Sequence, residues 1–266
     1  MRTIKLLLSY DGTDFSGFQR QANARSVQQE LESALEPIEG RHVTVAGAGR
    51  TDAGVHALGQ VASFKLSNAI PAADLVQAMN ARLPEDVRVL AADEVDAGFH
   101  ARFSARGKAY RYRISNTAVI SPFERRFALH LSRSLDLAAM RDAAQRLVGG
   151  HDFSCFQAKT EKARGSVRTV TRSEWSEEPL PDGGRLLVYD IAGSGFLKYM
   201  VRNIVGTLVE VGDGRRTPAS IGKLLASKNR AAAGPTAPPQ GLYLVRVDYD
   251  AAAPVSSSSE RRRRND

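Results

Sequence analysis

The chain has 266 residues, enough for one large domain or two of ordinary size, and its 42% hydrophobic and 25% charged residues match a soluble globular protein. Its formal charge of +8 favours an anionic partner, nucleic acid above all; the terminal run ERRRRND carries four positive and two negative charges, so +6 belongs to the rest. No apolar run approaches the roughly 18 residues of a membrane helix, the single Cys155 excludes an intrachain disulfide and a cysteine zinc cluster, and a cytoplasmic location is expected.

In chain order, Ile4, Leu6, Leu8 and Tyr10 alternate with Thr3, Lys5 and Ser9, with Leu7 the exception. This predicts a strand over Thr3–Tyr10, not a signal peptide. The loop DGTDFSGFQRQ follows. Ser26 is then a predicted N-cap, with Gln29 three residues on, for a helix carrying Val27, Leu31, Ala34 and Leu35 on one side. A short strand is expected over His42–Ala46 and another at QVASFKL. Pro71 opens a helix to about Leu83 with Leu75, Val76 and Met79 inward, and VRVLAADEV reads as a strand. The second half starts with the alternating strand KAYRYRIS. Helix Asp136–Leu147 follows, then strands VRTVTRSEW and RLLVYDIAG. A long helix from about Phe196 to Val211, a shorter one from Pro218 to about Leu225, and the strand GLYLVRVDY complete the series. The mixture predicts an α+β fold of two similar-sized lobes, 1–105 and 106–250, and a disordered basic tail at 251–266.

Three stretches carry chemistry. In AGRTDAGVH, Asp52 is the one carboxylate between Glu39 and Asp74. Gly49 and Gly54 permit a tight turn and close approach to a ligand. Asp52 serves either as a turn aspartate or as an ionised nucleophile or base; a buried carboxylate then needs a cation. Arg50 either pairs with it or reaches outward to a phosphate or base. In GFHARFSARGKAYRYRIS no acid occurs between Asp96 and Glu124, while His100, Arg102, Arg106, Lys108, Arg111 and Arg113 interleave with Phe99, Phe103, Tyr110 and Tyr112. Cations neutralise phosphates and aromatic faces take unstacked bases. Alternatively the tyrosines lie in the core and the arginines in water. In GSGFLKYMVRNIVGTLVEVG, an apolar stripe of Leu197, Met200, Val201, Ile204 and Leu208 is flanked by Lys198, Arg202 and Gly206, four apart. An arginine there can enter a cleft and pair with a carboxylate, or simply face solvent. Gly206 costs a helix about 1 kcal/mol relative to alanine, which close packing or ligand approach would offset. His151 and Cys155 are spaced as a nucleophile pair without an orienting partner, so a buried cysteine is expected. The histidines show no metal-ligand spacing, and no second copy of an aspartic-protease dyad exists.

Together GRTDAGVHA, KAYRYRI, HDFSCF, SVRTV, GSGFLKYMVRNIVG and PPQGLYL resemble, in order, the motifs of the tRNA pseudouridine synthase I (TruA) family. The resemblance implies a two-lobed fold around an antiparallel sheet with an active-site cleft between the lobes. It implies Asp52 as the catalytic aspartate, Tyr110 as a tyrosine stacking near the target uracil and a proton-transfer candidate, Arg202 as the partner of Asp52, and Arg50 as the residue that helps extrude the nucleotide. It further implies conversion of uridine to pseudouridine at positions 38, 39 and 40 of the tRNA anticodon arm by a homodimer with no cofactor and no required metal. Arg102, Arg106, Lys108, Arg111 and Lys198 are then the candidate RNA contacts. The rival readings are a non-catalytic RNA-binding protein and a nucleoside or glycosidic-bond hydrolase.

Overall fold

The computed structural model describes residues 1–158, 165–181 and 183–250; the tail lies outside the described residues. Ten strands form one sheet: β1 (Arg2–Tyr10), β2 (Ala46–Gly47), β3 (His56–Leu66), β4 (Val87–Val95), β5 (Ala105–Asn116), β6 (Leu129–His130), β7 (Gly149–Asp152), β8 (Val167–Pro179), β9 (Arg185–Gly193) and β10 (Leu242–Tyr249). Five α-helices accompany them: α1 (Val27–Glu39), α2 (Ala72–Asn80), α3 (Leu137–Gln145), α4 (Met200–Gly212) and α5 (Ser220–Ser227). The spatial order is β4-β1-β3-β10-β5-β9-β8-β7, with β2 on β3 and β6 on β5. Pairing is antiparallel throughout the main path except where β10 joins β3, and the short β6 also runs parallel to β5. The fold is therefore α+β around a mostly antiparallel sheet.

Local pattern accounts for most elements. Ile4, Leu6, Leu8 and Tyr10 are all buried, whereas Leu7, out of phase, is 36% exposed. The Ser26 side chain accepts the Gln29 N–H, capping α1, and Val27, Leu31, Ala34 and Leu35 enter the core. Asp136 caps α3 in the same way through the Ala139 N–H. Of the α2 residues expected inward, Leu75 and Met79 are buried and Val76 is partly so.

Two expectations change. His42–Val45 is not strand; only Ala46–Gly47 pairs with β3. The buried Glu32 carboxylate accepts the Val45 N–H at 3.1 Å, so a side chain takes a donor that a ladder would use. The long helix begins at Met200, not Phe196, because Tyr199 adopts a left-handed φ of 63°. Such a conformation costs a non-glycine residue about 1–3 kcal/mol. Lys198 therefore stands on a loop, not on the helix beside Arg202.

The final strand organises the centre. β10 comes from the end of the described chain yet lies between β3 and β5. Leu244 pairs with Ala57 on one side and with Tyr110 on the other. Residues from the two halves thus share one level of one sheet, and a continuous apolar core runs from Ile4 to Val247. Among the described residues no helix is long and apolar enough to cross a membrane.

Candidate active site

The Asp52 loop connects β2 to β3, which pair as a hairpin. It is pinned from several sides. The Ala48 N–H donates to Val61 O, the Phe18 N–H to Thr51 O, and the Gly54 N–H to Phe15 O. Gln60 donates to Gly49 O at 2.9 Å, and the buried Tyr10 hydroxyl shares a 2.8 Å hydrogen bond with Thr51 Oγ1. Burial raises the Tyr10 pKa to about 12, so this contact stays neutral. Of the two bracketing glycines only Gly54 has a positive φ, 75°. Gly49 instead leaves space: a Cβ there would stand 2.8 Å from Lys108 Nζ.

His56 anchors the loop's far end. Its Nε2 faces two carbonyl oxygens, Arg126 at 3.0 Å and Gln240 at 3.2 Å, so this nitrogen carries a proton. Nδ1 accepts the Gly12 N–H at 3.0 Å. Burial lowers the histidine's pKa, and the opposing pull of Asp11, 3.1 Å from Nδ1, is smaller. The ring stacks on Tyr243 of β10 at 4.8 Å.

Across from the loop stands α4. Arg202 Nη1 lies 3.3 Å from Asp52 Oδ2, 150 residues earlier, with both side chains largely buried. Its Nε donates to Ala237 O at 2.7 Å, and the Ala237 N–H donates back to Arg202 O at 3.1 Å. The guanidinium also sits 5.1 Å from the Tyr199 ring. Hence the segment crossing α4 holds one edge of the guanidinium and leaves another for the carboxylate. Asn203 extends that brace: its Oδ1 accepts Arg230 at 2.8 Å and Thr236 at 2.6 Å.

These groups open into a cleft of about 860 Å³ lined by residues of both halves of the chain. Asp52, Arg50, Tyr110, Arg202, Arg102, Lys108 and Lys198 all line it. Tyr110 is buried, its ring edge-on to Phe196 at 5.1 Å, and burial above all, with Tyr10 and Asp52 adding, raises its pKa well above the ordinary value. Tyr112, two residues on, is a core residue whose hydroxyl donates to Pro238 O. Burial and the nearby Arg102 lower the Lys108 pKa. Arg106 and Arg111 do not line the cleft: Arg106 pairs with Asp250 at 2.8 Å, and Arg111 grips Asp190 through two hydrogen bonds. Cys155 is fully buried and its thiol is pushed up to about 12 by that burial, which suits a core cysteine and not a nucleophile.

Sequence reasoning passed over Gln60, His56 and the Ala237 carbonyl. Gln60 had a signal, as a polar residue directly before Val61 and Ala62 in the predicted strand QVASFKL. The Ala237 carbonyl had none, because any residue supplies one.

A family model described as tRNA pseudouridine synthase matches residues 7–104 and 143–250. Proteins named tRNA pseudouridine synthase A resemble the chain over nearly its whole length. That of Myxococcus xanthus is 47% identical over 255 residues, covering 96% of this chain and 95% of the relative. That of Acetivibrio thermocellus is 45% identical over 249 residues, covering 94% and 100%. That of Geobacter sulfurreducens is 46% identical over 249 residues, with the same coverage. With a paired aspartate and arginine facing one cleft and this extent of similarity, the chain belongs to the tRNA pseudouridine synthase family.

Proposed function

We propose that this protein isomerises uridine to pseudouridine in the anticodon stem-loop of tRNA, at positions 38, 39 and 40, with Asp52 as the catalytic residue. The observation that carries this reading is the Asp52 carboxylate held against Arg202 in a cleft edged by cations. A pure RNA binder gains nothing from a carboxylate facing phosphates.

The reaction breaks the bond from ribose C1′ to N1, turns the uracil and joins C1′ to C5. Atoms and electrons balance without a redox partner or a transferred group, so the scheme calls for no cofactor. The target base first leaves its stack, at a cost of a few kcal/mol. Arg50, exposed at the cleft edge, is suited to occupy the vacated space. Asp52, its carboxylate paired with Arg202, then attacks C1′ or removes the C2′ proton to give a glycal; one carboxylate in this position serves either route. The C5 proton leaves last. Since burial holds the Tyr110 hydroxyl protonated, it relays that proton to water, taking one as it gives up its own.

Arg102, Lys108 and Lys198 contact the RNA backbone along the cleft; Arg106 and Arg111 take that role only if their carboxylate partners release them. The lobes 1–105 and 106–250 form the two walls, and two copies act together on tRNA in the cytoplasm.

Incubation with an unmodified tRNA transcript tests the reading. Pseudouridine is expected at positions 38 to 40 with the RNA mass unchanged. Release of free uracil would assign a hydrolase instead, and tight binding without conversion a binding protein. For Tyr110→Phe we expect the single-turnover rate to fall about 10²-fold, with tRNA affinity changed less than about threefold. The wild-type rate should show no alkaline inflection from Tyr110 below about pH 10, because its folded-state pKa is raised above the ordinary tyrosine value.

A further inference from the structure

Phe103 is 74% exposed, an unusual place for a phenyl ring, yet it lines the cleft. Val119 at 76% and Phe123 at 85% are equally exposed but lie outside the lining, so exposure alone does not single out Phe103. Three further features do. First, the ring is supported from one side: the His100 ring packs against it with centroids 4.4 Å apart. Second, its turn is closed by hydrogen bonds. His100 Nδ1 accepts the Arg102 N–H at 3.1 Å, the Ser104 N–H donates to His100 O at 2.9 Å, and the His100 N–H donates to Ser104 Oγ at 3.1 Å. Ala101, at the turn's base, is fastened by its N–H to Ser63 Oγ and by its carbonyl to the Tyr249 hydroxyl. Third, a cation lies beside the ring: the Arg102 guanidinium is 5.7 Å from its centroid, and Lys108 and Arg50 line the same cleft.

An aromatic ring backed by a second ring and beside a cation offers a face to a flat, anion-linked ligand. Bases inside a duplex have both faces occupied, so the ligand is an unpaired base. We infer that Phe103, backed by His100 and flanked by Arg102, is a stacking platform for an unpaired nucleobase of the tRNA next to the extruded uridine. The inference rests on the tRNA reading given above. It adds a second base-binding position in the cleft that holds Asp52.

The test compares wild type, Phe103→Leu and Phe103→Trp on an unmodified tRNA transcript, reading affinity, its salt dependence, turnover and self-association. Phe103→Leu keeps apolar bulk without a π-face, and thermal melting checks that it folds. It should bind about 10-fold more weakly, with an unchanged salt slope because no cation is lost. Phe103→Trp should bind at least as well as wild type. 2-Aminopurine at the loop nucleotide next to the target should be quenched by wild type and left bright by Phe103→Leu. Wild-type binding and quenching by Phe103→Leu would overturn the platform, as would a change in self-association, which would assign the ring to contact with a second copy. Absence of pseudouridine with the wild-type protein would instead overturn the tRNA reading, so the two failures are distinguishable.

Discussion

Asp52→Asn is expected to lower pseudouridine formation by at least about four orders of magnitude, the usual scale for loss of a reacting group. Asparagine matches the volume and still accepts a hydrogen bond from Arg202, but it neither attacks C1′ nor removes a proton at C2′. The structure limits the collateral damage. The loop is held by the Phe15, Phe18, Tyr10 and Gln60 contacts, none of which uses the Asp52 side chain. Loss of the charged hydrogen bond should cost about 1.5–3 kcal/mol of stability, at the low end because an acceptor remains. Affinity for tRNA should hold or rise slightly, since a negative charge has left a cationic cleft. Asp52→Glu keeps the charge but displaces it by about one bond length, and should lose on the order of 10²-fold in rate. The measurement is single-turnover conversion beside filter binding. Turnover retained by Asp52→Asn would remove the assignment. Binding and turnover lost together would make the residue structural.

The second large effect concerns Gly206, in the middle of α4. A Cβ built there would stand 1.8 Å from Pro235 O and 2.9 Å from its carbonyl carbon, both backbone atoms with no rotamer to yield. The crossing segment is itself tied down: Gly234 N–H donates to Thr207 Oγ1, Ala237 exchanges two hydrogen bonds with Arg202, and Arg230 holds Gly234 O. Alanine at 206 gains about 1 kcal/mol of helix propensity, but overpacking costs about 1–3 kcal/mol or more. Against unyielding backbone the second term wins, and a net loss of about 2 kcal/mol is expected, a fall in Tm of roughly 4–8 °C at this chain length. Displacing the segment also moves the carbonyl that orients Arg202, so the rate should fall while tRNA affinity stays. Gly222→Ala is the matched control. It lies in α5 with nothing within 4 Å of a built Cβ, and should stabilise by about 0.5–1 kcal/mol. The same sign for both substitutions would mean that helix propensity, not packing, governs position 206.

Much of the secondary structure was legible because its cause is local. The strands Val87–Val95 and Arg185–Gly193 occupy the predicted residues. Ser26 caps α1 because its hydroxyl needs only an N–H three residues away. The exceptions have identifiable competitors: a buried carboxylate from α1 at Val45, and a left-handed backbone at Tyr199. Neither leaves a mark on local periodicity. The isolation of Asp52 between two glycines left a turn role and a chemical role both open, and the basic, aromatic run pointed to RNA contact. Which members of that run face the cleft was not legible. Tyr110 and Tyr112, two residues apart in an alternating strand, are both buried, yet Tyr110 lines the cleft and Tyr112 donates its hydroxyl to Pro238 O. Arg111 meets Asp190 because β9 happens to be its neighbour.

The sequence by itself determined the class of fold, most helices and strands, the net positive field and a lone carboxylate in a glycine-bracketed turn. These depend on steric and burial preferences acting over a few residues, which composition and spacing record. The resemblance implied Arg202 as the partner of Asp52, but only tertiary structure decided that the two side chains meet, that Gly206 makes room for backbone and that Ala237 supplies the carbonyl holding the other edge of the guanidinium. Those pairings follow from β10 lying between β3 and β5. A contact across 150 residues is fixed by the path of the whole chain, and no local periodicity encodes that path.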